Sequence, residues 1–144
     1  MKISTTRFGE IEIGRDMVID FPQGLEGHDL CKKYFLIDYM DIVKWLHAAE
    51  DPDVAFISAN PFNFFPSYAF TIGDHIEDYL GLREPEDVAV LVLLSLHGDR
   101  VTANLNKPIL INVSNRKAVQ IDISDMRYQS KTPLPLNLKW INNR

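Results

Sequence analysis

Val88-Ala89-Val90-Leu91-Val92-Leu93-Leu94-Ser95-Leu96 is apolar on both faces of an extended chain, which places it centrally in a sheet. Its uninterrupted part, Val88 to Leu94, is the longest apolar run in the sequence at 7 residues. That is far short of the roughly 20 residues a membrane-crossing helix needs, so the segment is a buried strand. Gly98-Asp99-Arg100 turns it back into Val101 to Leu105, and the pair forms the expected floor of the core.

Outward from this pair, short period-2 segments recur in both directions, the signature of an antiparallel sheet rather than of βαβ units. Ile11 and Ile13 alternate with Glu10 and Glu12, and Gly14-Arg15-Asp16 predicts a hairpin into Met17 to Phe21. Further strands are expected at Tyr34 to Tyr39, Val43 to Ala49, Val54 to Ala59 and Tyr68 to Ile72. Ile109 to Val113 and Ala118 to Ile123 read as another hairpin across Ser114-Asn115-Arg116-Lys117. One short helix is expected from Asp74, with Asp74 capping its first turn, Glu77 at the capping-box position and Gly81 ending it. Ile76, Tyr79 and Leu80 share a face, so this helix lies as a lid on the sheet with Asp74, Glu77 and Asp78 toward solvent. The expected fold is all-β: a small antiparallel, closed or nearly closed β-barrel of about ten strands with one short helix, because closure removes exposed edges. Residues 1–144 read as one domain, with an extended tail from about 125 to 144 in which Trp140 is a candidate exposed residue.

Composition narrows the function classes. With 46% hydrophobic and 24% charged residues the chain is an ordinary globular one. The single Cys31 cannot form an intramolecular disulfide, and the start Met1-Lys2-Ile3-Ser4-Thr5-Thr6-Arg7 lacks the apolar core of a signal peptide, so a cytoplasmic location is expected. Residues 1 to 99 carry 7 Lys/Arg against 18 Asp/Glu, whereas residues 100 to 144 carry 8 against 2. The acidic bulk argues against direct nucleic-acid binding and suits a basic protein partner.

Catalytic and metal chemistry find little support. His28, His47, His75 and His97 lie in different segments at no metal-ligand spacing, and there is no phosphate-cradling loop or nucleophile elbow. Cys31 has Lys32 and Lys33 beside it, which favour a thiolate, but a nucleophile also needs a positioned base and an oxyanion site. No cofactor is expected. The rival readings are a small ligand-binding or catalytic barrel with Cys31 or a carboxylate pair in its mouth, and an RNA-binding barrel using Arg116, Lys117, Arg127, Lys131 and Lys139.

The stretch that reads as a surface is Asn60-Pro61-Phe62-Asn63-Phe64-Phe65-Pro66-Ser67-Tyr68, with four aromatics and two prolines between two strands. Prolines stiffen a loop, and rings held on a stiff loop lose little entropy on binding. Phe62 and Phe65 are assigned to the core, and Asn60, Asn63 and Phe64 to contact. The neighbouring stretch from Asp74 to Asp87 holds 6 Asp/Glu against Arg83 alone, adding a charged field to the anchors.

Several blocks, in this order, resemble the flagellar assembly factor FliW family. They are Thr6-Arg7-Phe8-Gly9-Glu10-Ile11-Glu12-Ile13, Phe21-Pro22-Gln23-Gly24-Leu25-Glu26-Gly27, Asp51-Pro52-Asp53-Val54-Ala55-Phe56 and the aromatic loop. Pro85-Glu86-Asp87-Val88-Ala89-Val90-Leu91 and Thr102-Ala103-Asn104-Leu105-Asn106-Lys107-Pro108-Ile109 complete the set, and the resemblance runs to about Ile123. It implies a β-barrel-like fold, no catalytic activity, and two partners, flagellin and the RNA-binding translational regulator CsrA. The implied mechanism is a switch: flagellin occupies the factor until export frees it to bind CsrA and relieve repression of flagellin synthesis. Asp74, Glu77 and Asp78 are the expected complement to a basic CsrA surface. The segment Asn137 to Arg144 extends past the family pattern.

Overall fold

A computed structural model describes residues 1–40 and 42–137. Trp140 and Lys139, singled out in the sequence, lie outside the described residues, as does all but the first residue of the segment Asn137 to Arg144.

The central strand is β7 (Val88–His97), and it is bordered on both edges. Val92 to Leu94 pair with β6 (Ala55–Ala59), Leu94 to His97 with β8 (Arg100–Ala103), and Val88 to Leu91 with β9 (Ile109–Asn112). From β6 the sheet continues through β5 (Val43–Ala48) and β4 (Lys33–Met40) to the short β3 (Ile19–Asp20), and from β9 to β10 (Ala118–Gln120). Every ladder is antiparallel, and the sheet curls into a half-barrel. Its end strands touch at one bridge, Asp20 with Lys117, where the Asp20 N–H donates to Arg116 O at 2.8 Å. Arg116 makes this seam at a cost. It sits at φ 62, a left-handed conformation unusual for a side-chain-bearing residue, and its guanidinium holds Val18 O at 3.1 Å and Met17 O at 3.0 Å.

Apolar side chains on both faces of the central strands produce two main cores. One face gathers Val43, Trp45, Ile57, Tyr68, Val92 and Leu105, and the other packs Phe21, Tyr34, Leu46, Leu91 and Ile109 inside the curl. Helix α1 (Asp74–Leu80) lies on the sheet as expected, burying Leu80 completely against Leu110 and Val119. Gly81 ends it in the left-handed conformation at φ 76, and Asn112 and Asn115 donate to the terminal Leu80 carbonyl at 2.8 and 3.0 Å. The tail also docks, since β11 (Thr132–Asn137) pairs with β8 and buries Leu134. Among the described residues no helix is long and apolar enough to cross a membrane.

Three local expectations are corrected. The strand with Ile11, β2 (Gly9–Glu12), pairs with β1 (Lys2–Thr5) and not with the segment after it, and Arg15–Met17 is a 3-10 turn. The Thr5 hydroxyl decides this: it donates to Gly9 O at 2.7 Å and accepts from Phe8 N–H at 2.8 Å, closing a tight turn with Gly9 at φ 71. Asp74 does not cap α1. Gly73 occupies the cap position with no side-chain bond, and the reciprocal capping box lies instead between Glu84 and Asp87, ahead of β7. The segment Tyr68 to Ile72 joins no strand ladder among the described residues.

Candidate partner-binding surface

The aromatic loop is rigid because its own polar groups fold it. The Asn60 side chain accepts from Phe62 N–H at 2.9 Å with Pro61 at the first helical position, which starts the 3-10 turn Pro61–Asn63. Phe65 N–H then returns to Pro61 O at 2.8 Å and Tyr68 N–H to Phe65 O at 3.0 Å. The loop is anchored below by Tyr68, which is 3% exposed and donates its hydroxyl to Leu105 O at 2.6 Å. Burial, reinforced by Tyr128 and Asp125, pushes that hydroxyl well above the ordinary tyrosine range, so it stays a donor.

Tyr68 is also the hub of an aromatic cluster. Its ring lies 5.8 Å from Phe62, 5.4 Å from Phe70 and 4.8 Å from Tyr128. Phe64 and Phe65 are both half-buried against the core, whereas Phe62 is 42% exposed. The sequence assignment is thus reversed for Phe62, which stands on the surface; the 3-10 turn points it out while Phe64 follows the chain inward. Asn60 and Asn63 are exposed, although the Asn60 side chain is occupied by the turn.

Phe70 joins this loop to the helix, since it packs with the Tyr68 core on one side and with the cluster under α1 on the other. On α1, Asp74, Glu77 and Asp78 are all exposed, and none is in an ion pair among the described residues. The rest of the acidic stretch has a different job. Asp87 accepts from the N–H groups of Arg83 and Glu84 at 2.8 and 2.9 Å, which hold its carboxyl below the usual range.

Sequence reasoning missed the turn at residues 125–128. Tyr128 Oη donates to Ala69 O at 3.1 Å and accepts from Ala69 N–H at 2.9 Å, and Arg127 pairs with Asp125 at 2.7 Å. Met126 at its tip is fully exposed. A tyrosine and a methionine among charges were the available signal, but only the docked tail puts them beside the loop.

The rival readings lose their residues to structural roles. Cys31 is buried, and burial followed by Glu50 and Asp51 pushes its thiol up, opposite to the lysine effect expected from the sequence. His47 is buried, stacked on Phe35 at 5.4 Å, with Nδ1 2.7 Å from Ala48 O. No group of three His, Cys, Asp or Glu fit to hold a metal occurs among the described residues. Of the described basic residues, Arg116 clasps the seam, Lys117 lies 3.9 Å over the Tyr79 ring and Arg127 pairs with Asp125, so these three are held in separate contacts and not presented as one stripe.

Known proteins agree with this architecture. The profile of the FliW protein family matches residues 2–134. The flagellar assembly factor FliW of Syntrophus aciditrophicus is 36% identical over 146 residues, covering 98% of this chain and 92% of that protein. Its counterpart in Moorella thermoacetica is 35% identical over 139 residues, 93% of this chain and 88% of that one. A crystal structure of a flagellar assembly factor FliW superposes with a TM-score of 0.85 at 32% identity, covering 92% of this chain and 96% of that one. On sequence and on fold alike, this chain belongs to the FliW family.

Proposed function

We propose that this chain is a cytoplasmic, non-catalytic flagellar assembly factor that binds flagellin and, once released from it, binds and antagonises the translational regulator CsrA. Family membership supports the assembly role. The single observation supporting partner binding is the pairing of a stiff loop that exposes Phe62 with a helix whose Asp74, Glu77 and Asp78 have no ion-pair partners among the described residues. The ring offers apolar area at little entropic cost, and the carboxylates offer attraction to a basic surface while repelling RNA phosphates. Switching then requires only that one partner weaken binding of the other.

The test is light scattering on the purified chain mixed with flagellin, with CsrA, and with both. Complexes in each binary mixture, and loss of the CsrA complex as flagellin is added, are expected; no complex in either binary mixture overturns the reading. Reversing Asp74, Glu77 and Asp78 to lysine weakens the CsrA complex and flattens its salt dependence, and unchanged affinity at low salt removes those residues from the site.

A further inference from the structure

The segment Tyr68 to Ile72 has a strand's sequence but no strand partner among the described residues. Its burial alternates with period 2: Phe70 and Ile72 are half-buried, and Ala69, Thr71 and Gly73 are exposed. Both inward residues pack into the cluster under α1, and Ala69 is tied at both its backbone groups by Tyr128, so the segment is held in place. Yet the backbone N–H and C=O groups of Phe70, Thr71 and Ile72 take no hydrogen bond among the described residues.

Across from it lies the outer edge of β10 and its continuation. Ile121 N–H donates to Pro108 O at 3.0 Å and Ile123 N–H to Asn106 O at 2.9 Å, so the odd-numbered residues face β9. The amides of Gln120 and Asp122 therefore point away from the sheet. Past the Asp20 bridge to Lys117, this edge has no further strand among the described residues. Between the two backbones runs an open cleft of about 720 Å³ lined by Phe70, Thr71, Ile76, Val119, Gln120 and Ile121, among others. Residues with unpaired backbone groups, Phe70 and Thr71 on one side and Gln120 and Asp122 on the other, thus line one groove together with the apolar side chains of Ile76, Val119 and Ile121, an arrangement that native proteins ordinarily cover or block.

We propose that this groove is a β-augmentation site, in which an extended, basic segment of a partner protein inserts as a strand between residues 69–73 and β10. Backbone bonding to the walls supplies affinity, and alternate apolar residues cover Phe70, Ile76 and Ile121. Charge selects a basic segment. Asp122 accepts from both the N–H and the hydroxyl of Ser124, which keeps its carboxylate ionised, and Asp74 begins the adjoining helix without an ion-pair partner among the described residues. Arg127, the guanidinium on the groove wall, is neutralised by Asp125. The groove shares Asp74 with the carboxylates of the proposed CsrA surface, but it is defined by backbone geometry and not by the loop around Phe62 or by the identity of either protein.

The experiment titrates the full chain with the peptide Lys-Val-Lys-Val-Lys-Val-Lys and with the same peptide N-methylated at its three valines, followed by amide hydrogen exchange in NMR. The unmodified peptide slows exchange at Phe70, Thr71, Ile72, Gln120 and Asp122, and rising salt weakens it. N-methylation, and separately Thr71→Pro, lowers affinity about tenfold or more, the equivalent of one to two backbone hydrogen bonds. Thr71→Ala leaves affinity unchanged, and the methylated peptide gives a test on the unaltered protein should Thr71→Pro misfold. Absence of binding, protection at other amides, or indifference to N-methylation overturns the proposal. Protection of these amides that grows with protein concentration alone assigns the edge to a second copy of the chain and overturns it as well.

Discussion

Replacing Tyr68 by Phe deletes one oxygen from the centre of the aromatic cluster and leaves the ring contacts to Phe62, Phe70 and Tyr128 in place. The hydroxyl is buried and donates to Leu105 O at 2.6 Å, so the variant loses the bond and strands a carbonyl in the core. The lost bond is worth about 1 kcal/mol, and the orphaned acceptor raises the total to about 2 kcal/mol. For a chain of this length that corresponds to a fall in Tm of about 6 °C. Urea denaturation at neutral pH, with an unchanged slope, measures it. The pH dependence adds a second readout. The unfolded tyrosine ionises at about pH 10, whereas the folded one is held protonated well above that. Its contribution to stability is therefore complete below the unfolded value and is lost as pH climbs through and beyond it. The gap between the wild type and Tyr68→Phe, which lacks this loss, accordingly narrows in alkali. A destabilisation below about 0.5 kcal/mol at neutral pH, the lower bound for a net hydrogen bond, refutes the assignment of Tyr68 as the anchor of the loop.

Other perturbations probe the neighbouring elements. Leu80→Ala, at a side chain with no exposed surface under α1, destabilises by about 2–5 kcal/mol in the same denaturation assay, and a smaller loss contradicts the lid packing. Asp87→Asn weakens the cap before β7. Because the folded carboxyl lies below its unfolded value, this stabilisation is present above the unfolded pKa and disappears as pH falls through the folded one, so variant and wild type converge in acid melting curves. Cys31 reacts slowly with a thiol-specific disulfide reagent in the native state and fully in denaturant, and rapid native modification contradicts its buried, thiol-form environment.

How much of this could be read in advance varied with the range of the interactions. The strands β4 to β9 were legible because each is written in its own alternation or apolar run, and α1 because Gly81 ends it in a conformation that glycine favours. The pairing of β2 was misjudged because a plausible turn at Gly14 competed with one set by the Thr5 hydroxyl. Of the surface residues, the exposure of Asp74, Glu77 and Asp78 followed from helical periodicity, whereas Phe62 sits in a 3-10 turn and Phe64 just after it, where the period does not tell inward from outward rings.

By itself, then, the sequence determined the all-β class, the central place of Val88 to Leu96, the helix with its three solvent-facing carboxylates, and the family. These depend on local pattern and on residue identity. Tertiary structure alone decided that the half-barrel meets itself at Asp20 and Lys117, that the turn around Tyr128 docks against Ala69, and that Phe62 is the ring left on the surface. It also left Phe70 to Ile72 as an extended segment without a strand partner among the described residues. Each of these is a contact between segments far apart in the chain, and a period-2 pattern states that a segment will be extended without stating what it will pair with.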